Sequence, residues 1–358
     1  MNISLICGIN KLGYGQTGKN FLKALTKLGH NVALWPINQI SQNDIDTDDI
    51  PYIKSAVSNV ANYDSKAPCI RIWHQHDLAQ FVGRGPHIGF PIFELDTFRP
   101  IEKHHMSQCD ALFVCSQWAK TVVIKNGINV PTFVVPLGVD TDIFNPEKYK
   151  KQEDGKTIFF NCGKWEYRKG HDIIITAFNL AFNKDDDVEL WMLCNNPFLT
   201  PERSNYWVNM YMQSELGIAG KIKILPRIPS NDGVAEIMSQ TDCGVFPARA
   251  EGWNLELLEM MALGKQVITT DYAAHTEFCT PSNSLLFKPN QNEVAYDEIW
   301  FSGEGNWAEI TDDDIYTIAD MMKTVHNNKT VNIGGIETGK RFSWMNSASK
   351  LIKHLENL

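Results

Sequence analysis

The sequence predicts an α/β protein made of two parallel-sheet domains. Three observations carry this. Short apolar runs alternate with longer amphipathic segments, the rhythm of βαβ units. The rhythm runs twice, restarting at Lys156 after a polar stretch. At 358 residues the chain suits two domains by the soft prior of roughly 150 residues each.

The elements follow in order. In the first half, strands are expected over 3–7 and 31–35, with a helix over 18–28 between them. Further strands fall over 70–73, 88–93, 111–115 and 132–135, with a helix over 117–125. In the second half, strands are expected over 157–161, 188–193, 222–225, 243–246 and 266–270. Helices over 172–182, 205–216, 233–239 and 255–263 separate them. The run DTDIFNPEKYKKQEDG is rich in Asp, Asn, Pro, Glu and Lys, which marks a linker at 141–155. Residues 289–314 read as a surface excursion. Trp344, Ala348, Leu351, Ile352 and Leu355 have helical spacing near the end. The expected domains are 1–140 and 156–340, with a separate helical segment at 341–358.

Composition narrows the function classes. Hydrophobic residues at 43% and charged residues at 21% exclude a disordered or fibrous chain. With 33 basic and 42 acidic residues, the net charge of −9 disfavours nonspecific nucleic-acid binding. The eight cysteines show no CxxC spacing, which argues against zinc knuckles and redox motifs and for buried free thiols. No apolar run approaches the ~20 residues needed to span a bilayer. MNISLICGINKLGYG lacks the basic and apolar regions of a signal peptide, so the expected location is the cytoplasm. Asp46 and Asp48, and Asp185 to Asp187, sit in polar turns and read as solvated, so no metal site is expected.

Three segments could carry chemistry. The first is GINKLGYGQTG, with Gly13, Gly15 and Gly18 between the first strand and helix. Glycines there let backbone approach a ligand, and N–H groups at a helix start favour an anion. The cluster stands away from the strand end and lacks the GK[ST] of a P-loop. The second is GKWEYRKG over 163–170, at the carboxyl end of a strand, where open α/β sheets bind ligands. Lys164 and Lys169 could neutralise a diphosphate, with Lys169 expected to be a solvated loop lysine in the free protein. The third is EGWNLELLEMMALG over 251–264. Free N–H groups near Trp253, Asn254 and Leu255 lie between the carboxylates of Glu251 and Glu259, an arrangement that suits a sugar nucleotide. Glu256 reads as a solvated neighbour.

The Glu251 to Glu259 spacing, E-x7-E, resembles the signature of family 4 glycosyltransferases. GKWEYRKG is similar to that family's G-R-x-x-x-x-K-G loop, with Lys164 in place of the usual Arg. VPLGVDTDIF over 135–144 resembles its P-x-G-V-D-x-x-x-F hinge segment. VCSQWAK over 114–120 resembles its V-x-S-x-x-x-K strand–helix, and HQHD over 74–77 its H-x-H-D turn. The resemblance implies a GT-B architecture, two Rossmann-like domains with a cleft between them, and the last helix crossing back to the first domain. It implies a retaining, metal-independent hexosyl- or pentosyltransferase with no cofactor beyond its nucleotide-diphosphate sugar.

Position by position, the resemblance puts Lys164 and Lys169 on the diphosphate, together with backbone at Trp253, Asn254 and Leu255. Glu259 would bind ribose hydroxyls, and Glu251 the donor sugar at its 3- or 4-hydroxyl. Gly13 and Gly15 would approach the diphosphate or donor sugar from the opposite domain. His76 would sit near the reacting carbon. The base would stack at the turn holding Arg227 and Ile228. The implied reaction is front-face substitution, in which the leaving diphosphate helps deprotonate the acceptor hydroxyl.

The acceptor side rests on Tyr14 and on HIGFPIFELDTFR over 87–99, with Glu94 and Asp96 among aromatics that suit a sugar or a base. A glycan, a lipid-linked hydroxyl or a small molecule would serve as acceptor. GFPIFELDTF and AEGWNLELLEM also resemble phage-encoded relatives. That adds a second acceptor, a hydroxymethylated base in phage DNA, acted on in the host cytoplasm. Such an enzyme needs a basic face. Lys148, Lys150, Lys151 and Lys156, with Arg84, Arg99, Lys103, His104 and His105, could supply one. A non-catalytic sugar-binding module is the rival of another class.

Overall fold

The computed structural model describes residues 1–41, 45–152 and 155–358. Positions 153 and 154 of the expected linker therefore lie outside the described residues. The chain divides into two compact units, Met1–Asp140 with Phe342–Leu358, and Thr141–Arg341.

The first unit runs β1 (Asn2–Cys7), α1 (Gly13–Lys27), β2 (Asn31–Pro36), α2 (Ile50–Ser58), β3 (Cys69–Ile72) and β4 (His87–Phe90). It continues with α3 (Pro100–Ser107), β5 (Ala111–Val114), α4 (Gln117–Lys125) and β6 (Thr132–Val134). Its six strands form a parallel sheet in the order β2-β1-β3-β4-β5-β6. Every residue of β3, β4 and β5 is buried, as expected of strands covered on both faces.

Helix α1 begins at Gly13, five residues ahead of the expected start. Glycine is a poor helix former, so GYGQTG gave no helical signal. Close packing decides the matter. A Cβ on Gly15 would lie 2.4 Å from the Asn10 backbone, and one on Gly18 2.6 Å from the Cys7 sulfur. Only glycines let α1 sit this tightly on the end of β1. Helices α2 and α3, which sequence periodicity did not reveal, each start with Pro in the first turn, and α2 covers β2.

The second unit runs β7 (Thr157–Gly163), α5 (His171–Ala181), β8 (Val188–Cys194), α6 (Pro201–Met212), α7 (Glu215–Ile218) and β9 (Ile222–Ile224). Then come α8 (Asn231–Ser239), β10 (Cys243–Phe246), α9 (Leu255–Ala262), β11 (Gln266–Thr270) and β12 (Leu285–Phe287). Its parallel sheet has the order β12-β11-β10-β7-β8-β9. The helix expected over 205–216 is two, because Ser214 caps α7 by accepting from Gly217 N–H at 3.1 Å. The core joins Phe159, Ile174, Phe178, Leu190, Met192, Val245 and Ile268 to Ile318 and Met322.

The expected surface excursion holds an antiparallel hairpin, β13 (Asn292–Tyr296) and β14 (Ser302–Ala308). Two further helices follow, α10 (Asp312–Asn327) and α11 (Ile333–Arg341). The chain then returns to the first unit with α12 (Trp344–Leu355). Trp344 packs on Phe21 at 5.3 Å between ring centroids, and Ala348, Leu351, Ile352 and Leu355 are buried. Gly138 makes this return possible, since a Cβ there would meet Trp344 N at 2.4 Å. All eight cysteines are free, and Cys162 is the one not fully buried. Among the described residues, no helix is long and apolar enough to cross a membrane.

Candidate functional site

In each sheet the strand order reverses once, between β1 and β3 and between β7 and β10. Ligands of open α/β sheets bind outside the carboxyl ends of strands at such points. In the second unit the loops there are 164–170, after β7, and 247–254, between β10 and α9.

These loops bring five charged side chains into one network. Lys169 Nζ donates to Glu251 Oε1 at 2.7 Å, and Arg168 lies 2.9 Å from Glu251 Oε2. Arg168 also donates to Glu166 at 2.7 Å and to the Ala250 carbonyl at 2.7 Å. Lys164 closes the row, 2.7 Å from Glu166. Burial works against the Lys169 ammonium, but Glu251 and then Glu256 outweigh it and hold its pKa above the ordinary value. Burial likewise disfavours the Glu251 carboxylate, but Arg168 and Lys169 hold it well below the usual range. Both groups are therefore ionised together.

Lys169 is thus a mostly buried, paired residue and not the solvated loop lysine expected. An ammonium has three donors. Glu251 takes one, which leaves donors for an anion. Lys164 is over a third exposed and keeps a free flank.

Helix α9 begins beside this network. Its first N–H groups, at Leu255 and Glu256, have no intrahelical acceptor. Trp253 turns its indole into the core, 4.8 Å from the Phe278 ring. Glu256 and Glu259 stand one turn apart on α9, both half-buried. Burial first, then Glu256, Cys194 and Glu259, push the Cys162 thiol up, which places both carboxylates beside the end of β7. Glu256 is therefore part of the cluster, not a solvated neighbour. A Cβ on Gly163 would lie 3.5 Å from Glu256 and 3.4 Å from the Lys169 chain, so glycine keeps this space open.

Asn254 caps α9 from a left-handed backbone, φ 85°, and its Oδ1 accepts from Leu257 N–H at 3.1 Å. Its Nδ2 then donates to His275 Nε2 at 3.0 Å. This fixes the His275 tautomer, with Nδ1–H donating to the Thr270 carbonyl at 3.1 Å. Burial pulls His275 down to about 4, against the pull of Glu251, so the ring stays neutral. Ala274 N–H donates to the Glu251 carbonyl at 3.2 Å. The segment 270–275 thus buckles Glu251 and the start of α9 in place. Sequence reading missed His275, Arg168 and Glu166. The alternation of Lys164, Glu166 and Arg168 was the one available signal.

Arg227 is exposed and Ile228 half-buried in the loop after β9, where Gly233 leaves room for the Ile228 side chain.

The first unit gathers aromatic rings at its own reversal point. Tyr14, in the first turn of α1, lies 4.5 Å from His74 and 5.3 Å from Trp73 between ring centroids. His74 stacks on His76 at 5.3 Å and 14°. His74 and His76 are exposed. The Tyr14 hydroxyl donates to the Ile92 carbonyl at 2.7 Å and accepts from Ile92 N–H at 3.1 Å. Burial first, then Glu94, push the Tyr14 phenol well up, so Glu94 lies close by. Asp96 is tied elsewhere: its carbonyl accepts from Asn126 at the end of α4, at 2.9 Å. Arg71 braces the 74–77 turn through Asp77 at 2.7 Å. Gly13 faces open space, while Gly15 is packed on Asn10.

Four of the nine residues of the expected basic face are in ion pairs. Lys148 pairs with Asp232, Lys151 with Asp242, Lys156 with Glu189 and Arg99 with Glu102. Among the described residues, no group of three or more His, Cys, Asp and Glu side chains is arranged to hold a metal ion.

Residues 155–299 match the family described as Glycosyl transferases group 1. A protein of Sulfolobus islandicus filamentous virus (isolate Iceland/Hveragerdi), named "Putative glycosyltransferase 45", is 21% identical over 306 residues, spanning 84% of this chain and 77% of its own. Sucrose-phosphate synthase from Thermosynechococcus elongatus superposes with a TM-score of 0.71 at 14% identity, covering 100% of this chain and 98% of its own. Anabaena HepE in complex with UDP-glucose has a TM-score of 0.71 at 15% identity, covering 100% of both chains. An Escherichia coli trehalose-6-phosphate protein bound with UDP-2-fluoro glucose has a TM-score of 0.71 at 10% identity, covering 100% of this chain and 99% of its own. These likenesses establish the fold as GT-B.

Proposed function

We propose that this GT-B chain, whose second unit matches the group 1 glycosyl transferases, moves a sugar from a nucleotide-diphosphate sugar to an acceptor hydroxyl, with retention and without a metal. The carrying observation is the Lys169–Glu251 pair beside the open first turn of α9, at the reversal point between β7 and β10. It sets cationic donors and free N–H groups next to carboxylates, within the matched region. Lys169, Lys164 and the N–H groups of Leu255 and Glu256 bind the diphosphate. Glu259 takes ribose hydroxyls, and Glu251 a hydroxyl of the donor sugar.

In the reaction, the bond from the anomeric carbon to the β-phosphate oxygen breaks and the acceptor oxygen bonds to the same face. The acceptor proton passes to the departing phosphate oxygen. The negative charge that grows there is met by Lys169 and the α9 N–H groups, already oriented before the step. In the first unit, the Tyr14, Trp73, His74 and His76 rings with Glu94 receive the acceptor. Their acidic and aromatic character favours a sugar-like hydroxyl compound over a phosphodiester. The paired state of Lys148, Lys151 and Lys156 also weighs against a DNA acceptor. The reaction is placed in the cytoplasm, that of the host if the chain is viral.

The test is incubation with UDP-glucose, GDP-mannose and ADP-glucose, with and without acceptor sugars, and measurement of released nucleoside diphosphate. Release with at least one donor is expected to continue in EDTA, and NMR of the product to show the donor's anomeric configuration. No release with any donor leaves a sugar-binding module. An inverted product, or loss in EDTA restored by Mn²⁺, overturns the mechanism.

A further inference from the structure

We propose that a cavity on the sheet of the first unit, walled by Trp35 and Phe81 and headed by Arg71, binds a small organic carboxylate with a flat, single-ring body. The site lies within the first unit and stands whether or not the donor reading holds.

The cavity follows from the connection between two strands. Residues 73–86 join β3 to its parallel neighbour β4 and contain no helix. Parallel crossovers usually carry a helix, which covers one face of the sheet. Helix α1 lies on the other face, where a Cβ on Gly18 would meet the Cys7 sulfur. Ile6 precedes Cys7 in β1 and so points the opposite way. It pairs with Trp35 of β2 on one side and with Arg71 of β3 on the other. Gln80, Phe81 and Val82 close over this row and leave a cavity of about 260 Å³. That loop is pinned at three points. Val82 N–H donates to Cys69 Sγ at 3.5 Å, and Arg84 N–H to the Ser65 carbonyl at 2.6 Å. The Phe81 ring stacks on the buried His87 at 4.5 Å and 23°.

The occupant follows from the donors left over. Arg71 is the only charged residue among the described ones that line the cavity. Asp77 accepts from its Nε and Nη2, each at 2.7 Å. That uses two of the five donors of a guanidinium. The Trp35 indole N–H is buried with no partner among the described residues. Unused donors call for a ligand rich in acceptors, and a guanidinium suits a carboxylate best. Asp77 balances the charge of Arg71, but its side chain is 30% exposed against 4% for Arg71. Water therefore screens the Asp77 charge more than that of the guanidinium. Trp35 and Phe81 favour a flat body that packs against their faces or edges. The volume falls below the ~300–1,000 Å³ of drug-sized sites, so it fits one ring and excludes an oligosaccharide. Such a carboxylate has two sources. It belongs to the acceptor itself, or to a separate ligand that acts on the 74–77 turn through Asp77.

The experiment is calorimetric titration of the full chain, without any sugar donor, using benzoate, 4-hydroxybenzoate, benzamide and acetate. The same titrations are run on Arg71→Lys, Phe81→Ala and Ile37→Phe, with melting curves for each. Benzoate and 4-hydroxybenzoate are expected to bind and to compete with each other. Benzamide, which lacks the charge, and acetate, which lacks the ring, should each bind about tenfold more weakly or worse. Arg71→Lys keeps the charge but loses the fork, and should weaken benzoate by a similar factor. Phe81→Ala removes a wall and should also weaken it, while Ile37→Phe fills the cavity and should abolish binding. These last two positions are exposed and half-buried, so they decide the matter even if Arg71→Lys fails to fold. A wild type that does not bind benzoate overturns the site, as does acetate binding as tightly as benzoate. Unchanged benzoate affinity in a folded Ile37→Phe overturns it too. Incubation of 4-hydroxybenzoate with UDP-glucose, GDP-mannose and ADP-glucose then separates the two sources. A glycoside identifies the carboxylate as part of the acceptor, and 4-hydroxybenzoate bound but recovered unchanged identifies a separate ligand; both outcomes uphold the site.

Discussion

Lys169 is where sequence and structure part most clearly at the residue scale. Its type and place at a strand end were legible from GKWEYRKG. Its partner was not, because Glu251 lies 82 positions away and meets it only after β7 and β10 pair. The consequence is a revised expectation for Lys169→Ala. Turnover should fall on the order of 10²–10³, as for removal of one preorganised donor to a developing oxyanion. The fold should also lose about 1–3 kcal/mol, because Glu251 is left buried with one cation fewer. Arg168 remains on Glu251 and keeps the loss below that of a fully orphaned charge. Rates and melting curves measured on the same preparation check both parts. A variant with full turnover, or with unchanged melting, contradicts the pairing as drawn.

Among the elements, α9 depends most on a single backbone choice. Asn254 starts it from a left-handed conformation that glycine adopts freely and other residues do so at a cost. Asn254→Ala loses the cap and keeps the strain. It is expected to cost about 2 kcal/mol or more. Asn254→Gly loses the cap but relieves the strain, and should melt above the alanine variant. Both lose the link to His275, so both should bind donor more weakly than wild type. Thermal denaturation with and without UDP separates the two effects, and an alanine variant at least as stable as the glycine variant defeats the account. Helix α1 shows the opposite dependence. GYGQTG has little helical propensity, and its shape is imposed by contact with Asn10 and Cys7.

For the whole molecule, acid should unfold the second unit early. Burial holds His171 down to about 3 and His275 down to about 4, well below the ordinary 6.5. Both depressed values favour the neutral form in the native state. Below about pH 6.5 the unfolded chain takes up protons that the fold refuses, so stability falls as pH drops toward about 4. Between pH 7 and pH 5 each histidine is expected to remove about 2 kcal/mol. Glu251, held below its usual range, adds to the loss further down, once the unfolded carboxylate protonates and the native one does not. Urea denaturation across that range checks the slope. A stability flat from pH 7 to pH 5 contradicts the buried neutral state of both rings.

The sequence by itself determined the α/β class and the two parallel sheets, and it singled out the segments of the proposed site, because these rest on local periodicity and on residue types at strand ends. Short apolar strands and the E-x7-E spacing are readable one window at a time. Only the tertiary structure decided the partners: Lys169 with Glu251, Glu166 with Arg168, and Asn254 with His275. It also decided α1, whose glycines look like a loop in one dimension and are a packing requirement in three. The physical reason is the same in each case. Burial and close approach are properties of pairs of segments far apart in the chain, and no local pattern records which segment will be the neighbour.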